Sequence, residues 1–187
     1  MGTNNKLVST SKFLSLILRH EPQLVGLTLG DGGWVSVNDL LACCAQANKP
    51  ISLVLLQEVV ATSDKKRFAF SEDGRFVRAN QGHSVEVDLG LSTSQPPDTL
   101  YHGTASRFVE SIWAQGLQRQ ARHHVHLTSK LDVARSVGLR HGKPVILEVN
   151  SLQMHLDGHA FFQSDNDVWL VDAVGVQYLR LLSQEPI

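Results

Sequence analysis

Apolar residues recur at helical spacing in Phe13, Leu14, Ile17 and Leu18, with hydroxyls at Ser9 to Ser11 available as caps. Pro22 has no N–H to continue a helix, so Arg19 and His20 fall in or just after the last turn. A second helix is predicted from Ser36 through Leu40-Leu41-Ala42-Cys43-Cys44, with Asp39 completing a weak variant of the capping box. A third runs from Ser52 through Val59. The period then changes. Arg67-Phe68-Ala69-Phe70 and Arg75-Phe76-Val77-Arg78 flank Ser71-Glu72-Asp73-Gly74, which predicts a hairpin with an acidic-glycine turn. Three helices and a hairpin predict a winged-helix lobe over residues 1–90.

Residues 91–98 lie in a run of small, polar and proline residues without apolar periodicity, and they read as a linker. Beyond it, residues 99–187 carry short apolar runs at Leu100-Tyr101-His102, Val125-His126-Leu127, Val145 to Val149, Val168 to Val171 and Val176 to Leu182. Two helices alternate with them. One spans Ser106 to Gln115 and stops at Gly116; the other spans Lys130 to about Leu139 under a cap from Thr128 or Ser129. The whole is predicted to be an α+β chain of two lobes.

Charge narrows the function. The chain has 187 residues with 17 Lys+Arg against 18 Asp+Glu. Up to residue 90 there are nine of each, and beyond it eight against nine. Neither half is a broad basic surface, so any nucleic-acid contact is expected to be local and short. The adjacent Cys43 and Cys44 sit in an apolar helix and read as packing in a reducing compartment. Met1 to Lys12 lacks an apolar stretch of the signal-peptide kind, and no run is long enough to span a bilayer. A cytoplasmic, monomeric protein without membrane contact is the expectation.

The residues that could carry chemistry are few. Arg19, Arg67 and Arg122 offer planar forks that match phosphate oxygens two at a time, and His20 adds an imidazole that titrates near neutrality. Together they suit a cage for a phosphate that is held and released. His102-Gly103-Thr104 ends one strand, and His126-Leu127-Thr128-Ser129 ends another before a helix N-terminus, where anions are favoured. The pair reads as a nucleotide cleft. His123, His124 and His126 could suggest a metal, but on a strand only His124 and His126 share a face, and no compact second ligand set completes a tetrahedron. No metal is expected. Trp34, Trp113 and Trp169 read as core, and His141, His155 and His159 as surface or packing residues.

Several of these segments are similar to the motifs of the KptA-type RNA 2′-phosphotransferases, a branch of the ADP-ribosyltransferase fold. The resemblance rests on Ser11-Lys12-Phe13-Leu14-Ser15, Leu18-Arg19-His20, Gly33-Trp34-Val35, Asp64-Lys65-Lys66-Arg67-Phe68 and Val77 to Ser84 in the first lobe. In the second it rests on His102-Gly103-Thr104, Arg122 to Leu127 and Asn166-Asp167-Val168-Trp169-Leu170. It covers nearly the whole chain in order. It implies an ADP-ribosyltransferase-like second lobe and NAD-dependent removal of an internal 2′-phosphate from RNA, as at a tRNA splice junction. The route implied passes through an ADP-ribosylated 2′-phosphate to 2′-OH RNA, nicotinamide and ADP-ribose 1″,2″-cyclic phosphate. It assigns catalysis to Arg19, His20, Arg67 and Arg122. NAD, as co-substrate, falls to His102, Gly103, Thr104, His126, Thr128 and Ser129, and RNA to Lys66, His83 and Ser84. Relatives that modify neutral acceptors carry a glutamate where this chain has Val168; an anionic phosphate nucleophile needs no such base. Asp167 stands where the family has glycine, and aspartate tolerates the left-handed backbone that such a turn requires.

Two other functions compete. The same cage would serve an ADP-ribosyltransferase that caps nucleic-acid phosphate ends. A non-catalytic winged-helix regulator would instead need a basic recognition helix, yet the stretch from Ser52 to Thr62 carries Glu58 and no Lys or Arg.

Overall fold

The computed structural model describes residues 2–63 and 65–182; Asp64, within one of the motifs above, lies outside the described residues. The chain divides into two compact units, Met1–Gly90 and Leu91–Ile187.

The first unit opens with helix α1 (Gly2–Arg19). Ser9 to Ser11 lie inside this helix and do not cap it; Ser9 Oγ donates to the Lys6 carbonyl at 3.0 Å. The apolar stripe that Phe13 to Leu18 announces therefore begins well after the helix does. Leu14, Ile17 and Leu18 are fully buried, each contributing about 1.5–3 kcal/mol. Pro22 opens a 3-10 turn, Pro22–Val25, that closes on a left-handed Gly26. A two-residue strand β1 (Val35–Ser36) leads into α2 (Val37–Gln46), and α3 (Leu53–Ala61) follows. Ser36 and Ser52 cap them, their hydroxyls accepting from the N–H of Asp39 and Leu55. Strands β2 (Phe68–Phe70) and β3 (Phe76–Ala79) form the hairpin. Its turn is fastened by Asp73, which accepts from Ser71 Oγ and the Arg75 N–H. The sheet order is β1-β3-β2, antiparallel throughout.

The second unit is built on strand β4 (Thr99–Ala105), followed by a 3-10 turn (Ser106–Phe108) and α4 (Val109–Gln115). The helix expected from Ser106 thus starts three residues late. Then come β5 (Leu117–Gln118), β6 (Val125–Leu127), α5 (Leu131–Leu139) and β7 (Pro144–Asn150). A third helix, α6 (Ser151–Leu156), corrects the expectation of two; Asn150 caps it by accepting from Gln153 N, and six residues are too few to show a helical period. The remaining strands are β8 (Phe162–Gln163), β9 (Trp169–Val171), β10 (Ala173–Val174) and β11 (Leu179–Leu181). They form sheets β11-β7-β4, β6-β9-β8 and β10-β5. Tyr101 and Thr128 exchange backbone bonds of 2.8 and 3.0 Å, which tie β4 to the end of β6.

Residues 91–98 are less free than their composition suggests. Ser94 N donates to the Phe161 carbonyl, Ser151 Oγ donates to the Pro97 carbonyl, and Pro96 is buried. This stretch belongs to the second unit.

The turn before β9 uses Asp167 at φ +61°, with its N–H on the Ser164 carbonyl at 2.9 Å. Aspartate therefore adopts the left-handed geometry expected of glycine there. Among the described residues no helix is long and apolar enough to cross a membrane.

Gly103 is the tightest point of the second unit. A Cβ there would lie 1.8 Å from the Ala134 carbonyl oxygen on α5, and one at Gly138 would lie 2.7 Å from the Thr104 carbonyl. Helix and strand meet backbone to backbone. Gly103→Ala should destabilise the protein by about 3 kcal/mol or more, or prevent folding, because the obstacle is main chain. Denaturant unfolding checks this; near-unchanged stability would disprove the packing argument.

Candidate functional site

In the first unit, residues 80–85 hold the predicted phosphate-binding groups together. The carbonyl of Arg67 accepts from Asn80 N at 3.0 Å and from Arg19 Nη2 at 3.2 Å. The carbonyl of Arg19 accepts from Ser84 N at 2.9 Å and Val85 N at 3.3 Å. Ser84 Oγ meets His20 Nδ1 at 2.9 Å. Arg19, His20, Arg67 and Ser84 therefore share one hydrogen-bonded network, although 48 residues separate the two arginines. Arg19 also lies over the Phe68 ring, 5.8 Å from its centroid.

The approach to Arg67 is shaped by a strained residue. Lys66 has φ +40°, and its N–H donates to the Ser63 carbonyl at 2.8 Å. The Lys66 carbonyl accepts from Asn80 Nδ2 at 2.8 Å, and Arg67 N donates to Ser63 Oγ at 3.3 Å. Asn80 thus secures both peptide units around Arg67. It is only 5 % exposed, and its Oδ1 has no hydrogen-bond partner among the described residues. Sequence reasoning gave Asn80 no role. A buried asparagine directly after a strand was the available signal, since such a residue needs a specific partner. His83 is 2 % exposed, and its ring stands 3.3 Å from where a Gly33 Cβ would be. It is a packed residue of this unit, whereas Lys66 and Ser84 are exposed.

In the second unit, the Tyr101–Thr128 bridge places His102 beside His126. His102 Nδ1 donates to the His126 carbonyl at 3.1 Å. A carbonyl only accepts, so Nδ1 carries the proton and the neutral ring keeps Nε2 as an acceptor. Arg122 Nη1 donates to His126 Nδ1 at 3.1 Å, which fixes the opposite tautomer in a neutral His126. Desolvation, followed by the Arg122 and His141 charges, lowers the His102 pKa against the raising effect of its carbonyl bond. Desolvation also lowers that of His124, which packs against Phe162 with ring centroids 5.5 Å apart.

The other nucleotide-cleft residues divide. Thr128 Oγ1 accepts from Lys130 N at 3.1 Å just before α5, and Ser129 is exposed. Lys130, not Thr128 or Ser129, is the N-cap, and no side chain caps the first turn of α5. Those N–H groups suit a pyrophosphate, although Asp132 already lies in the same turn. Gly103 faces α5 and Thr104 is 6 % exposed, so the close approach that glycine allows is taken by a helix. Among the described residues no group of three or more His, Cys, Asp or Glu side chains could hold a metal ion.

Two outcomes follow from this geometry. Asn80→Asp puts a carboxylate oxygen against the Lys66 carbonyl in place of a donor, and it should cost about 1–3 kcal/mol of stability in denaturant unfolding. An unchanged midpoint would show that Asn80 does not secure the loop. The second outcome concerns pH. The depressed His102 pKa favours the neutral ring in the fold. Its stabilising contribution is complete above about 6.5, the ordinary histidine value, and is lost as pH falls from there through the lowered folded value. His102→Asn keeps a donor for the carbonyl without a titrating ring. Its melting temperature should therefore fall less than the wild type's between pH 8 and pH 5, and parallel pH curves would contradict the assignment.

Comparisons with known proteins show the family. The family model described as RNA 2′-phosphotransferase, Tpt1 / KptA family, matches residues 5–173. A probable RNA 2′-phosphotransferase of Hahella chejuensis is 52 % identical over 183 residues, 98 % of each chain. One of Rhodopirellula baltica is 51 % identical over 96 % of this chain and 98 % of its own. One of Escherichia coli O139:H28 is 49 % identical over 94 % of this chain and 96 % of its own. Matched by that model over most of its length and by these relatives at about half identity, the chain belongs to the RNA 2′-phosphotransferase, Tpt1 / KptA family.

Proposed function

We propose that this protein removes an internal 2′-phosphate from RNA with NAD as co-substrate, through an ADP-ribosylated 2′-phosphate. The observation that supports it most is the shared network of Arg19, His20, Arg67 and Ser84, which orders the Arg19 guanidinium and the His20 imidazole and fixes the main chain from which the Arg67 side chain projects. NAD supplies an electrophilic ribose carbon and the 2″-hydroxyl that later accepts the phosphoryl group.

The chain's own residues have separable tasks in this reading. Arg19 and Arg67 bind the phosphate oxygens as forks, and they stabilise the charge that shifts between those oxygens when the phosphoryl group transfers. His20, oriented by Ser84, bonds a phosphate oxygen or delivers a proton to the departing RNA 2′-oxygen. Arg122 adds a further cation for the phosphate, oriented by its bond to His126. Neutral His102, with its proton fixed on Nδ1, offers Nε2 to a hydroxyl donor of the dinucleotide. The α5 first turn offers main-chain N–H groups to its pyrophosphate. Val168 replaces a glutamate without loss, since an anionic nucleophile needs no deprotonation and is repelled by a carboxylate.

The test is incubation with NAD and a short oligonucleotide carrying one internal 2′-phosphate, following RNA and nucleotide products together. A 2′-hydroxyl RNA with ADP-ribose 1″,2″-cyclic phosphate supports the proposal. Stable ADP-ribosylation of a 5′-phosphorylated oligonucleotide, with no loss of 2′-phosphate, supports the end-capping chemistry instead. His20→Ala and Arg122→Ala should each slow phosphate removal about a hundredfold or more, the scale of losing one transition-state donor, while melting with the wild type. Arg67→Lys should also be costly, because an ammonium cannot form the paired contact. Near-full activity in both alanine variants would remove the phosphate-cage assignment.

A further inference from the structure

We infer that the cleft between α1 and the C-terminal end of α3 binds the sugar–phosphate backbone of single-stranded RNA beyond the phosphate that is removed. The inference rests on the proposed RNA reading and adds a second contact to it. The cleft has a volume of about 440 Å³. Its cationic members are Lys12 and Arg67, and among the described residues none that lines it is acidic. Neither cation forms an ion pair among the described residues, although elsewhere in the same unit Arg75 is paired with Asp73. Two uncompensated cations sharing one concave surface attract an anion more strongly than the near-neutral charge of the lobe would suggest.

Two of the hydroxyls along the wall are already committed as donors. Ser15 Oγ donates to the Ser11 carbonyl and Thr62 Oγ1 to the Glu58 carbonyl, so their hydrogens are committed to the helices. The charge-bearing donors are Lys12 and Arg67, which suit contacts to phosphate, while Leu7, Val8 and Val59 give an apolar floor on which a sugar or base edge can lie. From Asn4 to Ser15 the lining follows α1 for roughly 16 Å at 1.5 Å per residue, room for more than one nucleotide. Arg67 lines this cleft while its carbonyl accepts from Arg19, so the cleft adjoins the Arg19–His20 network, and RNA whose 2′-phosphate meets that network has its neighbouring backbone at the mouth of the cleft.

The experiment compares a fluorescent RNA hexamer with a dinucleotide, each carrying one internal 2′-phosphate. Binding is measured across a salt series, and turnover is measured with NAD. Lys12→Gln is the main variant. Asn4→Glu is the second, since a carboxylate in the first turn suits the helix dipole and should not disturb the fold. Lys6→Gln makes the same charge change on α1 outside the cleft and serves as the control. Lys12→Gln should weaken hexamer binding about three- to fivefold near 0.1 M salt and reduce the steepness of log K against log salt by about 0.7. Asn4→Glu should weaken it in the same direction. Dinucleotide turnover should stay at the wild-type level in both. The inference is overturned if both variants bind the hexamer as the wild type does, if Lys6→Gln weakens binding as much as Lys12→Gln, or if the wild type holds hexamer and dinucleotide equally. A wild type that binds the hexamer as expected yet removes no phosphate overturns the catalytic reading and leaves the cleft assignment standing.

Discussion

The carbonyl oxygen of Arg67 is the point on which the first unit's chemistry depends. It accepts from the Asn80 amide and from the Arg19 guanidinium, so one acceptor joins β3's end, the loop before β2 and the end of α1. A guanidinium free in water loses side-chain entropy when it binds a phosphate. Arg19 has already been ordered by folding, through that carbonyl and through the Phe68 ring. The cost of ordering it is met by the core around Leu14, Ile17 and Leu18, not by the ligand. A guanidinium held this way meets an anion without waiting for rearrangement, which is the central requirement of electrostatic stabilisation.

The second unit solves a different problem, that of keeping a histidine neutral and aimed. The β4–α5 contact is close because Gly103 and Gly138 carry no side chain. Such a contact leaves little slack in β4, and the Tyr101–Thr128 bridge then fixes the strand's neighbour. His102 consequently finds the His126 carbonyl at hydrogen-bond distance, while desolvation disfavours a second proton. Packing, tautomer and protonation state thus follow from two glycines and one pair of main-chain bonds.

Much of this was legible in the residues and some was not. Ser36 and Ser52 announced their helices because an N-cap is a local device, satisfied within three residues. The hairpin was legible through Asp73-Gly74 for the same reason. Ser9 to Ser11 misled, because hydroxyls inside a helix can bond back to its own carbonyls. Helix α6 and the two-residue strands β5, β8 and β10 are too short for any period to register. Gly103 was visible as a close approach, but the residue that approaches, Ala134, lies 31 positions away and no spacing rule names it. The Arg19–Arg67 link and the service of Asn80 are likewise long-range. The resemblance of motifs could nominate the arginines, whereas the bonds that orient them belong to the fold.

Charge distribution links the site to its substrate class. The lobe that carries Arg19, His20 and Arg67 has as many acidic as basic residues, so it cannot attract nucleic acid by net charge. Two of its acids are engaged in local structure: Asp73 is consumed by the hairpin, where bonds from Ser71 and Arg75 lower its pKa to about 2, and Asp39 sits at the cap of α2. With its net charge balanced, such a lobe attracts an anion through individual cations and not through a broad field. That arrangement favours one phosphate with its immediate neighbours over a long duplex, because each guanidinium must be matched geometrically and there is no surplus of charge to compensate for a poor fit.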